Sequence, residues 1–304
     1  CIRDRHDPDA NGGTRMMSLL LDPLNYGFMS RALATALTAS IVCAMLSCWL
    51  VLVGWSLMGD AVSHAVLPGV VLSYIIGAPF AVGAVLFGFL AVALIGLVRN
   101  TSRVKEDAAI GIVFTSLFSF GLVLISVTPS HTDLNHIIFG NLLGVSRAEM
   151  LQVIGLAVLV FGALLIKRRD LTLYAFDPIH AHAIGLSPRA IGAGLLALLA
   201  LTTVVALQVV GVILVVAMLI IPGATAYLLT DSFGKMLLIA PAMAAACAVV
   251  GLYCSYYLDT ATGAMMVLAQ ACVFTLVYLF GPRGLVRARA RSRTPRQSQH
   301  APAG

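Results

Sequence analysis

Residues 57–77 read LMGDAVSHAVLPGVVLSYIIG, an apolar run that contains two ionisable side chains, Asp60 and His64. As an α-helix rising about 1.5 Å per residue, a run of this length crosses the roughly 30 Å hydrocarbon core of a bilayer. Pro68 and Gly69 follow one turn after His64 and are expected to loosen the helix and free backbone carbonyls. The stretch therefore predicts a transmembrane helix that carries polar groups into the membrane.

The composition of the whole chain agrees with a membrane location. Of the 304 residues, 60% are hydrophobic and only 11% are charged, and the mean hydropathy is +0.98. Soluble globular domains carry about 25% charged residues, so this chain has too little polar surface to cover a water-exposed domain. The composition favours one helical membrane domain with short connecting loops.

The apolar runs predict an all-α fold, a polytopic transmembrane bundle of eight or nine spans. The division of the stretch 190–229 rests on Gly211, and the count is eight if this stretch forms one span. Segment 134–146 (LNHIIFGNLLGVS) is too short to span and is predicted to be a re-entrant or interfacial helix. The candidate spans are 32–53, 57–77, 80–98, 108–128, 149–166, 190–208, 211–229, 235–257 and 260–280.

The positive charge of the chain is concentrated in short loops and in the C-terminal tail. The formal net charge is +6, and Lys and Arg cluster in segments 99–105, 167–189 and 283–304. The positive-inside rule predicts that these segments are cytoplasmic and that the N-terminus of a nine-span chain lies outside. This distribution favours a topology signal over nucleic-acid binding. The tail arginines are Arg283, Arg287, Arg289, Arg291, Arg293 and Arg296.

The two ends of the chain differ from its apolar centre. Residues 1–17 are a polar N-terminal extension, expected to be disordered or foreign to the native protein, and residues 283–304 are an Arg-rich tail. Between them, residues 18–282 form the predicted transmembrane domain. The sequence contains no GxxxxGK(S/T) nucleotide-binding motif, so ATP-driven transport would require an ATPase on another chain.

Asp60 and His64 are four residues apart, so a helix places both on one face with Cβ atoms about 5–6 Å apart. Ionisable groups at membrane depth are energetically costly and usually mark a substrate or ion path. A carboxylate and an imidazole together suit Mn²⁺, Fe²⁺ or Zn²⁺. From the residues alone, three interpretations stay open: a metal site, a buried Asp–His pair that packs the bundle, and a proton relay. A metal would need further ligands from this chain, a second copy or water.

Loop 129–136 contains His131, Asp133 and His136 on the predicted outer face. Their spacing suits a first binding station for ions delivered by a binding protein, and His136 is the third candidate metal ligand. The alternative is that these are solvated loop residues with a capping aspartate.

The loop 167–189 predicts a short cytoplasmic helix. Asp177 and Pro178 suit its N-cap and first position, and Pro188 is expected to end it. Such a helix suits docking into a groove on an ATPase subunit, and the alternative is an ordinary interfacial helix. The expected apolar face consists of Ile179, Ala183, Ile184 and Leu186, whereas His180 and His182 are interpreted as surface residues.

The run GDAVSHAVLPG at 59–69 resembles the hallmark of the ABC-3 family, the membrane subunits of manganese, zinc and iron ABC importers. The likeness extends over roughly residues 18–285. The motif HIIFGN at 136–141 is similar to that of the manganese/iron branch. At 53–56 the chain reads VGWS, where many relatives carry a basic residue. The other matching segments are KEDAAIGIVFTSLFSFGLVLIS at 105–126, LNHIIFGNLLGVS at 134–146, VVGVILVVAMLIIPGATA at 209–226 and LDTATGAMMVLAQACVFTLVYLFGP at 258–282.

The resemblance implies a type II importer-like permease in which Asp60 and His64 coordinate the metal. Pro68 and Gly69 are the expected sites of helix flexibility during gating. The resemblance also implies a coupling helix at about 177–188, which contacts the ATPase through Asp177, Ala183, Ile184 and Gly185.

The expected function is that of the permease subunit of an ABC importer that moves Mn²⁺ or Fe²⁺, or else Zn²⁺, across a bacterial inner membrane into the cytoplasm. The expected partners are ABC ATPase subunits, an extracytoplasmic metal-binding protein and a second permease copy in a homodimer. The chain is not expected to be an enzyme or to keep a bound cofactor, because its metal is the transported substrate. Two alternatives stay open: a proton-coupled secondary metal transporter with Asp60 as proton acceptor, and a siderophore- or vitamin B12-type ABC importer permease.

Overall fold

The computed structural model describes residues 27–128 and 144–281, in which helices are the only regular secondary structure. The helices follow one another with short connections. They are α1 (Gly27–Val53), α2 (Ser56–Ala65), α3 (Leu67–Ile76), α4 (Phe80–Thr101), α5 (Glu106–Val127), α6 (Arg147–Ile166), α7 (Arg168–Phe176), α8 (Pro178–Ala183), α9 (Pro188–Val210), α10 (Val215–Leu229), α11 (Phe233–Leu258) and α12 (Thr262–Phe280).

Within the described ranges, eight helical spans are long and apolar enough to cross a membrane. One of these spans, Ser56–Ile76, consists of α2 and α3 together, with Val66 between them. The apolar helix α10 is shorter and has 15 residues. The prediction of an all-α polytopic membrane bundle is confirmed.

The two ends of the bundle are marked by contacts of α9. Near its start, a Cβ added to Gly192 would lie 3.5 Å from the ring of Trp55, in the turn between α1 and α2. The last residue of α9, Val210, lies against Gly263 at the start of α12. We call these two regions the Trp55 end and the Val210 end.

Helix α10 runs from one end of the bundle to the other despite its length. It follows Gly211, which breaks the long apolar stretch with a φ of 77° at the Val210 end. The next helix, α11, begins with Phe233, whose ring lies 5.4 Å from that of Trp49 near the Trp55 end. Helix α10 therefore leads the chain from the Val210 end back to the Trp55 end as a separate helix, as the division at Gly211 predicted; the number of membrane spans stays a prediction.

The basic loops lie together at the Trp55 end. Because consecutive spans alternate in direction, α4 and α6 both finish there and lead into segments 102–105 and 168–183. Helix α12 also ends there, at Phe280. This clustering is what the positive-inside rule expects of a single membrane face.

Some predicted segments lie outside the described residues. The N-terminal extension falls within 1–26, most of segment 134–146 falls within 129–143, and the Arg-rich tail falls within 282–304. The predictions for these segments stay predictions.

Small residues bring the helices into backbone contact. A Cβ added to Gly223 of α10 would lie 2.5 Å from Ser47 Oγ of α1, and one added to Gly251 of α11 would lie 2.5 Å from the Met266 Cα of α12. Such close approaches give membrane helices the packing contact that the lipid does not supply. Helix α1 packs against α6, α9, α10 and α11 and forms the centre of the bundle.

Helix α10 contains Pro222 in its interior, and α1 bonds to the backbone on both sides of this residue. Proline has no N–H to donate within a helix. The Ser47 hydroxyl accepts from the Gly223 N–H at 3.0 Å and donates to the Ile220 carbonyl at 3.3 Å. Since the bilayer core offers no water for backbone groups, this side chain from the neighbouring helix supports α10 next to its proline.

Candidate metal site and coupling segment

The helix with the candidate metal ligands begins in a tight turn. Gly54 ends α1 with a left-handed φ of 80°, and the Trp55 N–H donates to the Leu50 carbonyl at 2.9 Å, as in a Schellman ending. The Trp55 carbonyl then accepts from the Met58 N–H at 3.1 Å and starts α2. The turn therefore fixes the direction in which α2 enters the bundle.

Helices α2 and α3 form one nearly continuous rod through Val66. This residue has helical backbone angles, φ −73° and ψ −21°. Its N–H donates to the Val62 carbonyl, and its own carbonyl accepts from the Val70 N–H, both at 3.2 Å. Pro68 lies in the first turn of α3, where a helix tolerates the missing N–H.

Gly69 permits a close helix approach in this structure. An added Cβ would collide with the Gly83 carbonyl of α4, and the Gly83 N–H donates to the Ser73 hydroxyl of α3 at 3.0 Å. Neither Pro68 nor Gly69 opens the helix in this conformation. Their predicted part in gating stays a prediction.

Asp60 and His64 lie on one face of α2 and contact each other. His64 Nε2 is 3.2 Å from Asp60 Oδ1. The His64 side chain is 21% exposed and that of Asp60 is 38% exposed. The pair therefore lies at the surface of a single chain, although it belongs to a membrane span.

Two aromatic rings of α5 hold the His64 imidazole. Its centroid lies 5.1 Å from that of Phe118, in an edge-to-face arrangement, and 5.8 Å from that of Phe114. Nδ1 is buried, with no hydrogen-bond partner among the described residues. Metal-bound histidines usually donate their second N–H to a carboxylate or carbonyl, whereas this one is positioned by ring packing.

The separation of the two ligand atoms fits a shared ion. Two ligands bonded at about 2.1 Å are about 3.0 Å apart at a right angle and about 3.4 Å apart at a tetrahedral angle. The observed 3.2 Å lies between these values. A hydrogen bond between the two side chains has a similar length, so the distance is compatible both with a shared ion and with a direct contact.

The described residues of one chain add no further His, Cys, Asp or Glu ligand to this pair. In the part of the chain that the structure describes, no group of three or more His, Cys, Asp or Glu side chains is placed to hold a metal. The loop candidates His131, Asp133 and His136 lie outside the described residues, and their roles stay predictions. Further ligands for an ion bound at Asp60 and His64 must come from outside the described part of one chain.

The short helix predicted after α6 is present as α8. Asp177 is its N-cap, as predicted, because Oδ1 accepts from the His180 N–H at 2.9 Å. His180 and His182 are exposed, which confirms that they are surface residues.

Helix α8 is shorter than the predicted range 177–188. It ends at Ala183, because Gly185 has a left-handed φ of 88° and completes a Schellman turn. Pro188 was wrongly expected to end this helix. It is the first residue of α9, with Ser187 Oγ accepting from the Ala190 N–H at 3.4 Å. A proline in the first turn is as compatible with a helix start as with a preceding stop.

We define the coupling segment as residues 168–185, which comprise α7, α8 and the turn that follows. It presents apolar side chains at the Trp55 end: Phe176 is 63%, Ile179 84% and Ile184 56% exposed. The predicted ATPase contacts are all exposed, namely Asp177, Ala183, Ile184 and Gly185.

Helix α7 is the element that the sequence analysis missed, because it treated 167–176 as loop. Leu171, Tyr174 and Ala175 have the spacing of one helix face, which was the available signal. Side chains of α7 on and beside this face anchor the helix to three neighbouring parts of the bundle. The contacts join Thr172 to Trp49, Tyr174 to Trp55, and Phe176 to Phe233.

Comparisons with known proteins give consistent results. Residues 25–281 match the sequence model of the ABC 3 transport family. The chain is 46% identical over 276 residues to the manganese transport system membrane protein MntB of Synechocystis, covering 90% of each chain. It is 47% identical over 265 residues to the chelated iron transport system membrane protein YfeD of Yersinia pestis, covering 87% of this chain and 89% of YfeD.

A solved structure has the same fold. It is described as PsaBC from Streptococcus pneumoniae in complex with Fab. The TM-score is 0.83 and the sequence identity 39%, and the match covers 90% of this chain and 100% of the solved chain.

Proposed function

This chain belongs to the ABC 3 transport family, and from that premise we propose that it is the membrane permease of an importer that moves Mn²⁺ or Fe²⁺ into the cytoplasm. The observation that carries the proposal is the contact between His64 Nε2 and Asp60 Oδ1 inside a transmembrane span. The names of MntB and YfeD, which refer to manganese and chelated iron, support these metals. Zn²⁺ is compatible with the two ligands but has no such support.

The chemistry of the pair suits transient binding. One carboxylate and one imidazole are ligands that Mn²⁺ and Fe²⁺ accept, and a partial shell holds an ion weakly enough to release it. A transport site must bind its ion and also let it go. Asp60 and His64 would each donate one atom, and the rings of Phe114 and Phe118 keep the imidazole in position.

A second copy of the chain is the proposed source of further ligands. The Asp60 side chain is 38% exposed in a single chain and so remains accessible to a second copy. Two copies that meet on this face would bring two Asp–His pairs to one ion, giving four protein ligands. This arrangement would make the permease a homodimer with the ion path between the copies.

ATP hydrolysis is assigned to separate cytoplasmic subunits. The sequence has no GxxxxGK(S/T) motif, and the coupling segment presents Phe176, Ile179 and Ile184 to its surroundings. The basic segments at the same end support a cytoplasmic position. A metal-binding protein would then deliver the ion at the Val210 end, on the outer face of a bacterial inner membrane, and the C-terminus would be cytoplasmic.

The proposal is tested by uptake of radiolabelled Mn²⁺ and Fe²⁺ into cells that carry Asp60→Asn or His64→Ala. Both variants are expected to lose uptake, because each removes one of the two proposed ligands. Asp259→Asn is the matched control: it makes the same chemical change in an exposed turn, and asparagine tolerates the left-handed φ of 49° at this position.

Three results would contradict the proposal. Retained uptake in Asp60→Asn would favour a siderophore- or B12-type permease, which needs no ligand pair. Uptake that persists without ATPase subunits and follows a pH gradient would favour proton-coupled transport. Equal loss in the Asp259→Asn control would show that the effect does not depend on the site.

A further inference from the structure

Trp55 is in ring contact with the coupling segment. Its ring centroid lies 6.2 Å from that of Tyr174 in α7, with the ring planes at 61°. Gly192 of α9 leaves room for both rings, because an added Cβ would lie 3.0 Å from the Tyr174 hydroxyl and 3.5 Å from the Trp55 ring. Both aromatic side chains are half-buried. The contact is therefore enclosed by α9 and has little free space to move in.

The backbone of Trp55 is part of the metal-binding helix. Its carbonyl accepts the first hydrogen bond of α2, from the Met58 N–H at 3.1 Å. No side chain caps this end of α2, so the position of Trp55 sets where the helix starts. Asp60 follows five residues later, about 7.5 Å along the helix axis.

The ring contact links α7 to the residue that directly precedes α2. In the described part of the chain, α7 packs mainly along α1, α6, α8 and α9. A shift of α7 can therefore reach the start of α2 through Tyr174 and Trp55. Helices α1 and α9, which contact both α7 and α2, offer indirect routes.

We propose that Trp55 is a positioning residue that transmits movement of the coupling segment to Asp60 and His64. The inference rests on the proposed function. When ATPase subunits displace α8, α7 moves with it and Tyr174 presses on Trp55. The start of α2 then shifts and moves the Asp–His pair relative to the second copy, which releases the ion. Packed side chains transmit such shifts because they occupy discrete arrangements.

The test uses the complete transporter, with its ATPase subunits and metal-binding protein, in proteoliposomes. The variants are Trp55→Ala, Tyr174→Leu and the double substitution, and the readouts are Mn²⁺ binding, ATP hydrolysis and Mn²⁺ transported per ATP. We expect binding and hydrolysis to stay close to wild type, while transport per ATP falls by about ten-fold. The double variant should be no worse than either single variant, because both substitutions break the same contact. Trp55→Phe, which keeps a ring, should recover most of the coupling.

Thr172→Val is the matched control. Thr172 lies on the same helix, and its hydroxyl accepts from Trp49 Nε1 at 3.3 Å, so the substitution removes an α7 contact that does not involve α2. Transport per ATP should remain at the wild-type level in this variant. An equal loss in Thr172→Val would overturn the proposal, because any loosening of α7 would then be enough to reduce transport per ATP.

Three further results would overturn either the proposed role of Trp55 or the proposed function. Unchanged transport per ATP in both Trp55→Ala and Tyr174→Leu would overturn the proposal and leave α1 and α9 as the routes. Loss of Mn²⁺ binding in both variants would assign Trp55 a structural role and overturn it as well. If the wild-type transporter moves neither Mn²⁺ nor Fe²⁺, the proposed function itself fails, and this result is recognisable before any variant is compared.

Discussion

At the residue scale, the His64 imidazole is oriented by contacts with two phenylalanine rings. Phe118 approaches it edge to face at 5.1 Å, and Phe114 lies at 5.8 Å. A ring held in this way keeps Nε2 directed at Asp60 without a polar partner on Nδ1. The orientation is preorganised, so binding an ion does not require the imidazole to be ordered first.

Shortening Phe118 tests this orientation. We expect Phe118→Leu to weaken Mn²⁺ binding by about five-fold, since an edge-to-face contact contributes about 1 kcal/mol beyond its buried area. Calorimetric titration of the purified permease provides the measurement. Phe120→Leu is the control, because Phe120 lies on the same helix and is 47% exposed. Equal weakening in both variants would contradict a specific role for Phe118.

At the element scale, the backbone of α10 next to Pro222 bonds to a side chain of a neighbouring helix. The Ser47 hydroxyl bonds to both Gly223 and Ile220 around Pro222. We expect Ser47→Ala to lower the stability of the permease by about 2 kcal/mol, because buried backbone groups lose their partner. Thermal unfolding in detergent measures the effect.

The control for this substitution is Ser30→Ala. Ser30 lies on the same helix, is exposed, and donates only to the Gly27 carbonyl at 3.2 Å. Its loss should change stability little. Should Ser47→Ala unfold at the wild-type temperature, the backbone of α10 must find other partners at Pro222.

The elements that could be predicted are those specified by local chemistry. Gly211 marks a break because few other residues adopt its backbone conformation, and Asp177 followed by proline specifies a helix start. Pro188 misled the prediction, because a proline suits the first turn of a new helix as well as the end of an old one. Helix α7 was missed because its apolar positions are few and lie within a basic segment.

The candidate site was predictable only in part, because only some of its contacts are specified by local sequence. The contact between Asp60 and His64 follows from a spacing of four residues within one helix. The rings that hold His64 come from α5, and the ring that meets Trp55 comes from α7. Such contacts depend on how the helices pack, and no pattern within one segment specifies them.

At the scale of the whole molecule, the Asp60–His64 pair would provide half of the coordination shell in the proposed dimer. If two copies complete it, the purified permease should bind one Mn²⁺ per two chains. Equilibrium dialysis with metal analysis measures this ratio, and His64→Ala provides the baseline for unspecific binding. One ion per chain would instead show that each copy forms a complete site, with ligands such as His136 or water.

In the proposed topology, α10 makes a ninth pass and so determines which compartment each end of the described residues meets. An odd number of passes would place Gly27 and Gly281 on opposite sides of the membrane. A fluorescent or affinity label attached beyond Gly281 would then share the aqueous phase of residues 168–185, whereas one attached ahead of Gly27 would report on the opposite phase. The short helix would thereby make the polypeptide asymmetric across the bilayer, and labels on its two sides would be distinguishable in intact cells.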